Sequence, residues 1–520
     1  MNATVDVAVI GSGFAGSLAA LALRRMGRRV ALVERGRHPR FAIGESSTPL
    51  ANLLLEELAD RYGLDGVRPF CKWGTWQRSR PDVACGLKRG FSFFFHDRDA
   101  RFPADPEHER QLLVAASPHD EIADMHWYRP ELDRELAQQA ERAGAVFFDA
   151  TRLDRYERHG DTTVLSGSRE GLPLQIRASF VIDASGPRGF LHRALALGDA
   201  PLRWLPPTRA LYTHFTGVDT WERFHPGTGT PPYPVDAAAL HHVFRGGWIW
   251  VLRFNNGITS AGAALTDPLA REIQAADGAA AWTRLLHRLP SVAEQFDAAR
   301  PALPFVHAPR IAFRSARVAE EGWALLPSAA GVIDPLLSTG FPLTLLGLRR
   351  LLETFERCDG APPQAALAEY ERQTLMELDA TERLVAALYA VMDDPALFKR
   401  LSLLYFAAAS YGETVRRLGR PSLAPGFLLC AHPTFAAELS ECCEAATGRP
   451  QGSARRALES RIDRAIEPFD AAGLLDRTRR DWYPVVAADL TRSASKLEAT
   501  AEEVSRLLAR CGFMAGETAS

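Results

Sequence analysis

No stretch of this chain is both long and free of charge, so no membrane-spanning helix is expected. Neither sign of charge is in excess. Lys and Arg total 61 against 63 Asp and Glu, a formal net charge of -2, which argues against a nucleic-acid partner that would need a basic surface. Cysteine is sparse: Cys71, Cys85, Cys358, Cys430, Cys442, Cys443 and Cys511 form an odd set without a CxxC spacing. That pattern suits neither a disulfide framework nor a thiolate metal cage, and a reduced, cytoplasmic setting is expected; Cys442-Cys443 stays open as a redox pair. The start of the chain shows no basic head, apolar stretch and cleavage site, so secretion is not expected. His96, His241 and His242 have no third ligand spaced with them, and no metal site is expected. Repeats, low-complexity segments, a Ser-His-Asp set and paired carboxylates are not recognisable.

What is present is an ordinary globular composition, 47% hydrophobic and 24% charged, over 520 residues, a length that implies two or three structural units. Residues 1 to about 200 open as β-α-β. Val7-Ala8-Val9-Ile10 reads as a strand buried on both faces, Ser17 to Met26 as a helix stopped by Gly27, and Arg29 to Glu34 as the second strand. Phe180 to Asp183 returns to that style. Residues 200–320 carry short Thr-, Trp-, Phe- and Val-rich runs broken by Gly and Pro, which reads as an antiparallel β layer that would carry substrate contacts. Trp323 to Leu326 rejoins the first unit, which therefore takes residues 1–200 and 320–350. Residues 350–520 read as a helical domain, with a Pro-containing break from Pro421 to Pro433 and a last amphipathic helix from Ser493 to Cys511.

Gly11-x-Gly13-x-x-Gly16 follows a strand and opens a helix that includes Ala15. The first glycine permits a tight turn, the second lets the backbone approach a pyrophosphate, and the third allows close helix–strand packing. Glu34 ends the second strand, where an acid bonds the ribose hydroxyls of an adenosine. Only one such fingerprint is visible, so two separate dinucleotides are not expected. Asp183-Ala184-Ser185-Gly186 is a second small-residue turn placed to pack against a flavin nucleotide. Arg129, at a helix start, could reach the phosphates or stand as a surface arginine.

The fingerprint, Gly44-Glu45-Ser46-Ser47-Thr48-Pro49 and the run Ala329-Ala330-Gly331-Val332-Ile333-Asp334-Pro335-Leu336-Leu337-Ser338-Thr339-Gly340 resemble the flavin-dependent halogenases. The resemblance covers roughly the first 350 residues, and the tail is similar to those of halogenases that act on phenolic and polyketide-type substrates. It implies an α/β fold: a glutathione-reductase-like, Rossmann-type FAD domain, an antiparallel β substrate layer and a helical C-terminal domain. It implies FAD contacts at Gly11, Gly13, Ala15, Gly16, Glu34, Ser47, Arg129, Asp183, Ser328 and Gly331, and a halide and flavin loop at Ser338, Thr339 and Gly340. The family's catalytic lysine falls on Lys88 in Gly86-Leu87-Lys88-Arg89-Gly90-Phe91. A lysine flanked by a Phe-rich strand either is desolvated and reactive or points to solvent with Arg89 turned inward.

The resemblance has departures. Trp248 and Trp250 match a motif that separates flavin from substrate, but Leu252-Arg253 replaces Ile-Pro. Tryptophan halogenases carry a glutamate where Leu337 stands, so a phenol, pyrrole or polyketide is the expected substrate class, free or carrier-bound. Pro327-Ser328 replaces the usual Gly-Asp, leaving the ribityl contact to Ser328. The expected activity is halogenation by reduced FAD, oxygen and chloride or bromide through hypohalous acid positioned by Lys88, with FAD reduced by a separate flavin reductase. An aromatic hydroxylase on the same scaffold, favoured by Leu252-Arg253, and a non-catalytic flavin-binding partner protein are the alternatives.

Overall fold

The computed structural model describes residues 2–227 and 229–513. Its first sheet is built on the apolar run near the N-terminus. Strand Asn2–Ile10 lies between Val30–Val33 and Leu172–Asp183, parallel to both, with Val7 opposite Val30 and Phe180. Val146–Phe148 continues one side and Trp323–Leu325 the other. Apolar side chains on both faces suit such a doubly covered strand. A hairpin of Thr151–His159 and Thr162–Arg169 adds antiparallel strands beside Leu172–Asp183. Strand ends Ile10, Val33, Asp183 and Leu325 thus align on one edge, where open parallel sheets bind ligands. Helix Phe14–Arg25 starts at that edge, earlier than the Ser17 expected, and its first ten residues are all buried.

The second sheet runs Thr208–Thr216, Thr259–Thr266, Gly247–Arg253, Ala239–Phe244, Gly90–His96, Gln111–Ala115 and Trp482–Tyr483. It therefore reaches beyond residues 200–320, taking two strands from before and one from after that window. The reason lies in Gly90–His96, buried along its whole length and needing partners on both edges. One face of the sheet packs toward the first sheet and the helical tail; the other has its own core around Trp221, Phe244 and Trp282.

The tail consists of helices Gly340–Glu356, Gln364–Ala390, Pro395–Arg417, Pro433–Thr447, Gly452–Ile466, Ala487–Arg492 and Ala501–Arg510, with short 3-10 turns between them. The expected break at 421–433 holds two short 3-10 turns, Pro421–Leu423 and Phe427–Leu429. The expected helix from Ser493 is instead split. A 3-10 turn, Ala494–Leu497, ends at Glu498 in the left-handed region, and a capping box of Thr500 and Glu503 starts a new helix. Cys442 and Cys443 are free, buried thiols whose pKa values are pushed up by burial, which does not suit a redox pair. Among the described residues no helix is long and apolar enough to cross a membrane.

Candidate active site

At the sheet edge the three glycines make room for a nucleotide. A Cβ on Gly11, whose φ is +97°, would meet the Ala184 carbonyl at 2.6 Å, and one on Gly16 would collide with the Gly11 carbonyl. One on Gly13 would fill the approach to Arg129 and Arg40, whose nearest nitrogens lie at 3.3 and 3.6 Å. Such a cradle, at the start of a 12-residue helix, fits a pyrophosphate. Glu34 is buried beneath the turn. It accepts from Ser12 N at 3.1 Å, Gly36 N at 2.9 Å and Arg40 Nη2 at 3.1 Å. Burial would raise its pKa, but Arg40 and the N–H donors outweigh that and hold it below the usual carboxylate range. Arg129 is no surface residue: it is 7% exposed, forms a two-point bond with Asp133 at 2.8 Å, and donates to the Gly44 carbonyl at 2.8 Å. Ala15 is buried in the helix.

Other residues expected at the cofactor also have contacts within the protein. Asp183 accepts from Ser185 N at 2.8 Å and Leu191 N at 2.6 Å, which shapes the turn that abuts Gly11. Burial raises its pKa against those bonds. Ser47 uses its hydroxyl on the Met125 carbonyl at 2.7 Å. Gly331 leaves space that the Leu378 side chain takes, since a Cβ there would meet Leu378 Cδ1 at 2.7 Å. Ser328 is half-buried in the short helix Pro327–Ala330.

The segment 334–340 meets the segment 44–49. Ser338 Oγ donates to Ser46 Oγ at 3.0 Å, so Ser46, rather than Ser47, carries the side-chain contact. Leu337 and Ser338 both hold positive φ, +67° and +55°, a strained conformation that non-glycine residues keep only where the surroundings enforce it. Thr339 is buried and precedes helix Gly340–Glu356; a Cβ on Gly340 would meet nothing within 4 Å, so the helix start faces open space. Asp334 anchors the segment. It accepts from Leu336 N at 3.0 Å and from the Tyr389 hydroxyl at 2.9 Å. Tyr389 in turn accepts from Trp248 Nε1 at 3.1 Å. Burial pushes the pKa of Asp334 up to about 7. Sequence reasoning missed this three-residue chain, because Tyr389 comes from the helical tail.

Lys88 is wholly buried on the strand Cys85–Lys88. Its Nζ donates to the Ser47 carbonyl at 2.5 Å and sits 3.8 Å from the centre of the Phe91 ring. Arg89, by contrast, pairs with Asp120 and the Pro118 carbonyl, so the lysine and not the arginine is the desolvated cation. Burial lowers the Lys88 pKa; Asp124, its cross-strand partner in register, opposes that shift. The Asp124 pKa is raised by burial, opposed by Lys88. His126 and His241 are held at about 3 by burial and then by the charge of Lys88, so both rings near it are neutral. Beyond Asp124 opens a cavity of ≈ 170 Å³ lined by Asn52, Phe91, Asp124, Tyr405 and Phe406 and closed by Val504, Leu507 and Leu508 of the last helix.

Trp248 and Trp250 are buried on one face of their strand, ring centres 5.6 Å apart, and neither lines that cavity. Arg253 is drawn outward, donating to the carbonyls of Val218 at 2.9 Å and of Asp219. His96 and His242 bond each other at 3.0 Å within the second core, and no described group of three or more His, Cys, Asp or Glu side chains could hold a metal.

These features have counterparts in known proteins. The tryptophan halogenase family model matches residues 125–402, and an FAD-binding domain model matches residues 6–60. Monodechloroaminopyrrolnitrin halogenase PrnC of Pseudomonas fluorescens is 30% identical over 431 residues, 78% of this chain and 72% of that protein. Tetracycline 7-halogenase of Kitasatospora aureofaciens is 31% identical over 397 residues, 73% of this chain and 69% of the other. In three dimensions the chain is similar to halogenase PltM, crystallised with phloroglucinol and FAD, with a TM-score of 0.81 and 24% identity over 92% of this chain and 99% of that one. The chain belongs to the flavin-dependent halogenases, FAD-dependent oxidoreductases that use halide with reduced FAD.

Proposed function

We propose that this enzyme halogenates an electron-rich aromatic substrate of the phenol, pyrrole or polyketide type through hypohalous acid positioned by Lys88. The observation that carries the reading is Lys88 itself, a fully buried ammonium one residue from the contact between the 44–49 and 334–340 segments. Bound reduced FAD supplies the oxygen activation. Gly13 and Arg129 would hold its phosphates and Glu34 its ribose, and the open start of helix Gly340–Glu356 would receive halide through backbone N–H groups. Lys88 spends one N–H on Ser47, which leaves others to hold hypohalous acid. Its lowered pKa also favours the free amine, which attacks the halogen and releases water to form a haloamine. Either route transfers halogen to a ring carbon, with hypohalous acid and an aromatic C–H giving an aromatic C–halogen bond and water. Neutral His126 and His241 add no competing charge.

With a single dinucleotide fingerprint, reducing equivalents come from a separate flavin reductase. The hydroxylase alternative rested on Leu252-Arg253, and the outward anchoring of Arg253 is a structural reason for that departure. The test supplies a flavin reductase, NADH, oxygen, chloride or bromide and a panel of phenols and pyrroles that includes phloroglucinol, the ligand of PltM. A halogen-bearing product by mass spectrometry is expected. Oxygen addition without halogen would identify a hydroxylase, and flavin reoxidation without either product would remove the substrate class.

A further inference from the structure

Most polar side chains on the wall of the cavity beyond Asp124 are paired, but not all. Its charged residues pair off: Lys72 with Glu56 at 3.6 Å, Arg417 with Glu56 at 3.1 Å and with Glu413 at 2.5 Å. Asn52 and Asp124 pair with each other, but incompletely. Asn52 Nδ2 donates to Asp124 Oδ1 at 2.7 Å, which fixes the amide and leaves its oxygen turned away from that bond. Asn52 Oδ1 and Asp124 Oδ2 are then two buried acceptors without a donor, on adjacent side chains that both line the cavity. Buried acceptors are seldom left so, and a pair of them at a cavity wall points to a ligand that brings the hydrogens. The terminal torsion of an aspartate is broad, so Oδ2 turns toward such a ligand at little cost.

We propose that Asn52 and Asp124 are substrate-contacting residues: together they accept hydrogen bonds from an O–H or N–H on the aromatic ring and turn the carbon to be halogenated toward Lys88. The assignment of the second half rests on the halogenase reading above. Its geometry comes from register. Lys88 and Asp124 are opposite residues of an antiparallel pair, whose side chains stand about 5 Å apart at Cβ; Lys88 does not itself line the cavity, but its Nζ lies over the ring of Phe91, which does, so a ring anchored at Asp124 is held one strand and one aromatic ring from the lysine. The chemistry agrees, because the hydroxyl or N–H that anchors the ring is the substituent that makes it electron-rich. Phe91, Tyr405 and Phe406 supply the apolar faces against which the ring packs. This pair favours rings that carry a donor over rings that carry only acceptors, such as methyl ethers.

The test is a binding titration of the oxidised, FAD-loaded enzyme with phloroglucinol and with its trimethyl ether, for wild type, Asp124→Asn and Asn52→Ala. Wild type is expected to bind the phenol at least about 10-fold more tightly than the ether. Asp124→Asn should lose most of that preference through weaker phenol binding, since with Asn52 still donating to its oxygen the new amide presents N–H groups to the ligand. Asn52→Ala carries the same comparison should the aspartate variant not fold. Equal binding of the two compounds by wild type, or an unchanged preference in a folded Asp124→Asn protein, would overturn the proposal. Binding is read without turnover. An enzyme that shows the preference but makes no halogenated product therefore keeps the acceptor pair and loses the halogenase reading, and the reverse pattern removes the pair alone.

Discussion

Lysine is rare in this protein. Only Lys72, Lys88, Lys399 and Lys496 stand among 61 basic residues. Arginine takes nearly every ion pair, as suits a planar, permanently charged group. Lys399 is buried too, but it is bound by Asp481 at 2.5 Å and by two backbone carbonyls. Lys88 has one carbonyl and an aromatic face, an arrangement better suited to a group that changes partners than to a structural pin. Gly13 allows a sharper test of the cofactor end. Gly13→Val should fold, because the nearest atoms are ends of flexible arginine and aspartate side chains, yet lose FAD, because its side chain fills the approach to the phosphates. Flavin occupancy at the wild-type level in a folded variant, read by absorbance, would contradict that assignment. Asp334 makes a prediction about pH. Its native pKa of about 7 lies above the value of an unfolded carboxyl, so its favourable contribution is complete at acid pH and is lost as pH rises through about 7. The free energy of unfolding should therefore fall more between pH 5 and pH 8 for wild type than for Asp334→Asn, by at most about 3 kcal/mol. Parallel curves would show that the buried acid is not linked to stability.

Elements whose sequence signal is local were readable, and those placed by distant pairing were not. The alternation of buried strand, glycine turn and helix at residues 5–26 announces itself within one window, and the structure follows it with an earlier helix start. Asp124 carries no motif. It matters because Cys85–Lys88 pairs with Asp124–Trp127 in the one register that sets it opposite Lys88, a fact of tertiary pairing. Tyr389 is likewise one tyrosine on a 27-residue helix until the fold sets it on Asp334. The split of the last helix was legible in retrospect, because Thr500 and Glu503 have the spacing of a capping box. That box gives a prediction at this scale. Thr500→Ala should cost about 1 kcal/mol and fray the helix whose Val504, Leu507 and Leu508 close the cavity. KM for the aromatic substrate is expected to rise while flavin affinity stays fixed; an unchanged KM in a measurably destabilised variant would show that this helix does not bound the substrate site.

At the scale of the whole molecule, three regions distant in sequence converge on one path. The first sheet offers the nucleotide edge, the 334–340 segment meets the 44–49 segment through Ser338 and Ser46, and Ser47 passes that contact to Lys88. The helical tail completes the path from two sides, through Tyr389 at the strained loop and through Tyr405, Phe406 and the last helix at the cavity. In the proposed reaction this division separates oxygen and halide chemistry at the flavin from delivery at the lysine, since a misplaced oxidant reacts with water or protein before it reaches substrate. The most direct test compares wild type with Lys88→Ala in one reaction, following flavin reoxidation, free hypohalous acid and halogenated product together. Lys88→Ala should retain FAD and reoxidise it at a normal rate while losing halogenated product by about 100-fold or more; product at the wild-type level from that variant would contradict the account.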